Sequence, residues 1–292
     1  MLRRFLGPLA LLALAPLATA QDAAPAPDDR DPLLYVMEDD DSRVYLLGSI
    51  HFLDAGAYPL PADVEAAYED ADAVAFEVDM RDAAAMQTAM LSRAQYADGR
   101  TLQDALGEEE TAKLDSILTP FGLNSAALAS FEPWAVQITL VGLGVQAMGF
   151  NPETGIDMHF LGRATDDEKP VLALETAENQ FDIFDTMPEE AQVDMLVQTL
   201  DEWDEQADVF ERLVAAWETG DEATLQELLG DLPESIAPAL LRDRNAAWVP
   251  QIEAYLAREG EDVLVVVGAG HLTGEDSVTE MLRAKGYTLT RQ

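Results

Sequence analysis

The chain has 292 residues, 56 acidic against 17 basic side chains, a formal charge of −39 and no cysteine. The acidic excess repels phosphate backbones and argues against nucleic acid as a partner. The missing cysteines exclude disulfides and thiolate metal sites. With 48% hydrophobic and 7% aromatic residues, the composition is that of a globular protein with an ample core, not a disordered chain.

Residues 1–20, MLRRFLGPLALLALAPLATA, set Arg3 and Arg4 before a short Leu/Ala-rich stretch and end in Ala18-Thr19-Ala20, the pattern of a secretory signal peptide cleaved after Ala20. The stretch is short for a membrane span and contains Pro8 and Pro16. No lipid-anchor cysteine follows, so the expected mature protein has no stable membrane anchor and sits in the periplasm or outside the cell. Residues 21–32, QDAAPAPDDRDP, read as a disordered linker. One folded domain is expected over 33–292.

That domain opens with LLYVMEDDDSRVYLLGSIH, two strands around an acidic turn at Asp39 to Ser42, which predicts a hairpin. Pro61 then starts a helix that ends before the strand AVAFEVD. Residues 83–150 carry helical spacing almost throughout and read as a helical insertion. GIDMHFLGRATDDEK predicts another helix, leading into the strand PVLALE. Residues 188–229 are helical and very acidic, and APALLRDRNAAWVPQIEAYLAREG is the last long helix before the strand DVLVVVG. A helix and a strand close the chain. Strands alternating with helices predict an α/β (α+β) fold.

Two echoes run through this order. Gly48-x-x-His51 and Gly268-x-x-His271 each follow an apolar strand, and two further apolar strands terminate at Glu77 and Glu175. The repetition suggests two pseudo-repeated sheet halves that face each other. Where neighbouring strands run parallel, ligand sites lie beyond their carboxyl ends, where all four residues fall. Glu77 and Asp79 would share a face if their strand reaches that far. Gly48, Gly268 and Gly270 are expected to let the chain turn sharply and aim each imidazole over the sheet edge. Two imidazoles and two or three carboxylates meeting there form either a metal site or an acid/base pair. His159, on a helix beside Met158 and Phe160, is expected to be structural.

The stretches LLGSIHFLDAGAYPLP, AFEVDM, GIDMHFLGRA, KPVLALETAENQ, RDRNAAWVPQI and VVVGAGHLTGEDSVTEMLRAKGY, taken in order, resemble the TraB/GumN family, also described as the Tiki-like superfamily of metalloproteases. The resemblance runs from about Leu33 to the C-terminus. It implies two four-stranded sheet halves with helices, akin to erythromycin esterase and the ChaN-like haem-associated proteins. It also implies a divalent-metal hydrolase, most simply a peptidase acting on a peptide or protein substrate with manganese, cobalt or zinc. The family pattern carries over to His51, Glu77, Glu175 and His271 as the catalytic or metal-binding set. Asp79, Asp157, Gln180, Arg244 and Asn245 fall at flanking positions.

On this reading His51, His271 and Glu77 are ligands, and Glu175 is ligand or general base to a metal-activated water. Arg244 either stabilises an oxyanion or binds a substrate carboxylate, or it forms a surface helix salt bridge. Two other readings stay open. One is a metal-free, esterase-like hydrolase with a histidine base. The other is a non-catalytic protein that binds haem, iron or a partner.

Overall fold

A computed structural model describes residues 29–230 and 236–292. The expected signal peptide at 1–20, and the linker at 21–32 except for its last four residues, lie outside the described residues. Among the described residues, Pro32 and Leu33 are the first buried positions. No helix among the described residues is long and apolar enough to cross a membrane.

The predicted hairpin is present as β1 (Leu34–Glu38) and β2 (Arg43–Ser49), antiparallel, with Leu34 opposite Leu47 and Glu38 opposite Arg43. Its turn is held by the Asp39 carboxylate, which accepts from the backbone N–H groups of Asp41 (3.2 Å) and Ser42 (2.9 Å). Pro61 stands at the N-cap of α1 (Ala62–Asp70), where its missing N–H costs the helix nothing. The remaining strands are β3 (Ala73–Phe76), β4 (Val171–Ala173), β5 (Val263–Gly268) and β6 (Leu289–Arg291).

These strands form one continuous sheet in the order β4-β3-β5-β2-β1-β6. The first four run parallel, and β1 is antiparallel to both of its neighbours. The mixed α/β class is as expected. The echoed motifs are neighbours within a single six-stranded sheet, however, not parts of two facing four-stranded sheets. The central strands β3 and β5 are apolar nearly throughout because both of their faces are covered, as parallel sheets require. The two edge strands, β4 and β6, are only three residues long, which limits the unpaired backbone left at the edges.

Helices make up the rest. The 83–150 region contains α2 (Ala83–Leu91), α3 (Leu102–Leu118) and α4 (Pro133–Ala147). After α5 (Ile156–Asp166) and β4 come α6 (Ala177–Asp185), α7 (Glu189–Asp201), α8 (Gln206–Thr219) and α9 (Glu222–Gly230). A π-helical turn, Pro238–Arg242, feeds into α10 (Asp243–Leu256), and α11 (Val278–Ala284) precedes β6. The main core lies around the sheet, while α3, α4 and α7 share a second apolar core of Leu102, Leu106, Leu114, Val136, Leu140 and Leu196. The 83–150 helices therefore pack as a unit with later helices, over the carboxyl edge of the sheet.

Candidate active site

Glu175, Glu77, His271 and His51 follow β4, β3, β5 and β2, and those strands are adjacent in that order. The parallel pairing continues past β3 and β4, with Glu175 N–H donating to the Glu77 carbonyl at 2.9 Å. The Gly268 N–H donates to Glu77 Oε1 at 2.8 Å, tying the end of β5 to the same carboxylate. One sheet edge thus assembles the four residues that the sequence singled out.

At their centre is Arg244, on the first turn of α10. Its Nε and Nη2 donate to Glu175 Oε1 (3.0 and 2.6 Å), and Nη2 also donates to Glu77 Oε2 (2.5 Å). Its Nη1 donates to His271 Nε2 (2.9 Å) and to the Leu240 carbonyl (3.0 Å). A guanidinium has five N–H groups, and these five contacts engage all of them. The side chain is only 10% exposed and its guanidinium lies 4.6 Å from the Trp248 ring centroid. Arg244 is therefore not a surface salt bridge. Burial works against its charge, and Glu77 and Glu175 outweigh that penalty. Burial also opposes ionisation of Glu77, but the facing Arg244 and His51 and the Gly268 N–H hold its carboxyl well below the usual range. Glu175 goes the other way: burial raises it, and Arg244 only partly offsets this.

His271 is fixed from both sides. Its Nδ1 donates to Asn245 Oδ1 (2.6 Å), and the Asn245 amide is oriented by donating its own Nδ2 to the Asp276 carbonyl (2.8 Å). Nε2 is then the lone-pair nitrogen that accepts from Arg244. Burial, foremost, and the nearby Arg244 and His51 push its pKa well below 6.5, so the ring is neutral. Trp248 packs against it with centroids 4.4 Å apart. Arg244, Asn245 and Trp248 lie at i, i+1 and i+4 on one helix, so a single turn of α10 holds both the cation and the tautomer.

His51 is different. Its Nδ1 lies 2.8 Å from Asp157 Oδ2, while Asp157 Oδ1 accepts from Ser49 Oγ at 2.9 Å. Asp157 is buried at 5% exposure, whereas the His51 side chain is 62% exposed and its Nε2 has no partner among the described residues. Asp157, foremost, pushes the imidazole pKa up to about 9, and the open ring face lets water screen part of that pull. The result is a histidine–carboxylate pair with one ring nitrogen open to the cavity.

The flanking candidates divide. Asp157, Asn245, Arg244 and Gln180, whose Nε2 donates to Glu77 Oε2 at 3.2 Å, are all in the site. Asp79 is not: β3 ends at Phe76, so the strand alternation stops short of it, and its carboxylate pairs with Arg81 (2.9 and 2.6 Å) at the surface. His159 packs against Tyr58, with centroids 4.4 Å apart and the rings tilted by 33°.

Gly48 and Gly268 serve close approach and not a left-handed turn, while a Cβ at Gly270 would meet nothing nearer than 3.5 Å. Gly48, Gly268 and Gly270 are absent from the positive-φ positions. A Cβ at Gly48 would sit 3.1 Å from the Leu33 Cβ and 3.2 Å from the Ala269 Cα, and one at Gly268 would sit 3.3 Å from Glu77 Oε1. Sequence reasoning missed Gly155, where a Cβ would fall 2.1 Å from the His51 carbonyl oxygen. That contact lets the start of α5 press on the His51 backbone and delivers Asp157 to the ring. It also passed over Ser49 and Trp248, although both lie inside the motif stretches.

The site opens into a cavity of about 580 Å³. His51, Glu77, Gln180, Arg244 and His271 form its polar floor, and side chains of α4, α6, α8 and α9 form apolar walls.

A family profile described as the TraB/PrgY/gumN family matches residues 33–291. The chain belongs to that family. Two TraB-like relatives are each called "Uncharacterized protein YbaP", one from Escherichia coli K12 and one from Shigella flexneri. Each is 28% identical over 243 residues, covering 82% of this chain and 87% of its own. No solved structure matches.

A divalent ion was expected at the four strand ends of this TraB-family chain, which carry suitable donor types. In the arrangement seen, Arg244 binds Glu77, Glu175 and His271. No group of three or more His, Asp or Glu side chains surrounds a common point among the described residues. The residues as placed do not fit a divalent ion, because a guanidinium occupies His271 Nε2 and one oxygen of each glutamate.

Proposed function

We propose that the protein is a hydrolase of acyl bonds, ester or amide, in which His51, oriented by Asp157, transfers the proton and Arg244 offsets the charge of the paired glutamates. The observation that carries this reading is the His51–Asp157 contact of 2.8 Å beside a free Nε2 at the floor of a 580 Å³ cavity. A water at His51 Nε2 gives up its proton as its oxygen attacks the carbonyl carbon. Asp157 holds Nδ1–H and stabilises the imidazolium that forms. His51 then passes the proton to the departing oxygen or nitrogen as the acyl bond breaks. The carbonyl gains a hydroxyl, the leaving group gains a hydrogen, and nothing is oxidised or reduced. His271, neutral and locked, positions Arg244 and takes no proton. The N-terminal pattern supports export to the periplasm or exterior as the place of action.

The test is turnover of neutral acyl ester and peptide amide probes by wild type, His51→Ala and Asp157→Asn in the presence of chelator. Expected losses are about 10²- to 10⁴-fold for each variant. Unchanged rates in both variants would overturn the assignment. A metal-dependent peptidase is the second reading, favoured by the donor types at the four strand ends. It requires Arg244 to withdraw from three partners, and activity lost in chelator and restored by manganese, cobalt or zinc would select it.

A further inference from the structure

The cavity above the catalytic floor does not stop at its own mouth. Val141 on α4 and Phe210 and Leu213 on α8 also line a second hollow of about 230 Å³, which runs on past Val145, Met148 and Val209. Ile138, Val141 and Val209 are 36%, 37% and 44% exposed, so apolar surface continues from the floor to the outside of the molecule along the α4/α8 seam. Large exposed apolar side chains in a connected row mark a binding surface more often than isolated ones do.

Three observations restrict what fits there. First, the hydrogen-bonding side chains of the cavity are gathered at the floor, apart from Glu202, Glu205 and Gln206 at the outer hollow. An extended peptide in the trough would leave backbone N–H and C=O groups unpaired along its length, whereas a hydrocarbon chain has none to satisfy. Second, Arg244 offers a ligand no free N–H, because all five are engaged by Glu77, Glu175, His271 and Leu240. A carboxylate there would meet Glu77, with the Arg244 charge already shared between Glu77 and Glu175. Third, Glu202 and Glu205 at the outer hollow repel an anionic tail.

Resting on the hydrolase reading, we infer that the substrate is a neutral ester with a linear apolar acyl chain. Its carbonyl meets His51 and its chain runs along the α4/α8 trough. Water adds to the carbonyl, the ester C–O bond breaks, and the alkoxide leaves with the proton carried by His51. The product carboxylate then shares the floor with Glu77, whose charge favours its release.

The experiment pairs turnover with binding. Hydrolysis of p-nitrophenyl acetate, butyrate and octanoate is measured with wild type and with Val141→Asp, alongside an apolar peptide p-nitroanilide. Thermal shifts with butan-1-ol and octan-1-ol are recorded for wild type and for His51→Ala, whose binding does not depend on turnover. Each buried CH₂ is expected to raise kcat/KM and affinity about fourfold, on the order of 10²-fold from butyrate to octanoate. Val141→Asp should flatten that gradient. A chain-length gradient in alkanol binding without hydrolysis of any ester would leave the trough assignment standing and remove the hydrolase reading. Ester turnover with no gradient, or a preference for the peptide, would do the reverse. Neither turnover nor a binding gradient would overturn both.

Discussion

Replacing Arg244 by methionine removes the charge while keeping a side chain of similar reach against Trp248. In the native protein one guanidinium serves two carboxylates whose side chains are 10% and 9% exposed. Breaking a buried ion pair from one side costs about 3–5 kcal/mol, because the partner charge is left in a poor solvent. For a domain of this size each kcal/mol moves Tm by about 2–4 °C, so the expected drop at neutral pH is on the order of 10 °C. The pH dependence has a definite sign. Glu175 already has a raised pKa and rises further without Arg244, while Glu77 rises from its depressed value. A folded-state pKa above the unfolded one means the folded state binds the extra proton, so the deficit should be largest near pH 7 and shrink toward pH 5. Urea melts of wild type, Arg244→Met and Arg244→Met/Glu175→Gln at both pH values measure this. The double variant should recover part of the loss at pH 7. A deficit below about 1 kcal/mol, or one independent of pH, would refute the view that Arg244 holds two buried charges.

Other consequences are as direct. Asn245→Leu leaves the His271 Nδ1–H without its acceptor and should cost about 1–3 kcal/mol; imidazole ¹⁵N shifts showing Nε2–H in the wild type would contradict the tautomer assigned here. Because His271 has a folded pKa below its unfolded value, stability should fall as pH drops below about 6.5, and His271→Gln should remove that dependence. His51 should titrate between 6.5 and about 9 by NMR and move down in Asp157→Asn, and kcat/KM should rise with pH up to the His51 pKa, since only the neutral ring accepts a proton; a flat profile over pH 6–9 argues against His51 as base. Gly155→Ala puts a methyl into the His51 carbonyl, so α5 must shift and the His51 pKa should relax toward 6.5, with no such change in Gly162→Ala, where nothing lies within 4 Å.

The four strand-end residues were legible in the sequence because each follows an apolar run, and parallel strands present their carboxyl ends to one edge. Which strands would be neighbours was not legible. Pairing β2 with β5 and β3 with β5 involves chain-distant segments whose patterns are interchangeable, so two facing halves looked as reasonable as one sheet. Asp157 and Arg244 were visible as flanking positions, but their partners lie 106, 69 and 167 residues away, beyond the reach of any local rule. Gly48 and Gly268 are required for another reason than the one expected: pattern alone does not distinguish a left-handed turn from a crowded backbone. Asp79 was misplaced because the strand was read three residues too long.

The order of the sheet also has a consequence for how the molecule is made. Its central strand, β5, is next to last in the chain, and it bridges β2 to β3 across contacts as distant as the 219 residues between Arg43 and Asp262. Until residue 268 has left the ribosome, the β1–β2 hairpin and the β3–β4 pair remain two fragments, each with an open apolar edge. Such a topology folds slowly, because the longest loops close before any of their contacts form. The same late step brings in α10 and the Gly268–His271 turn, and with them the cation between the two glutamates. The reactive centre therefore comes into being only when the whole chain is present, so a product truncated before β5 has neither a complete sheet nor a site.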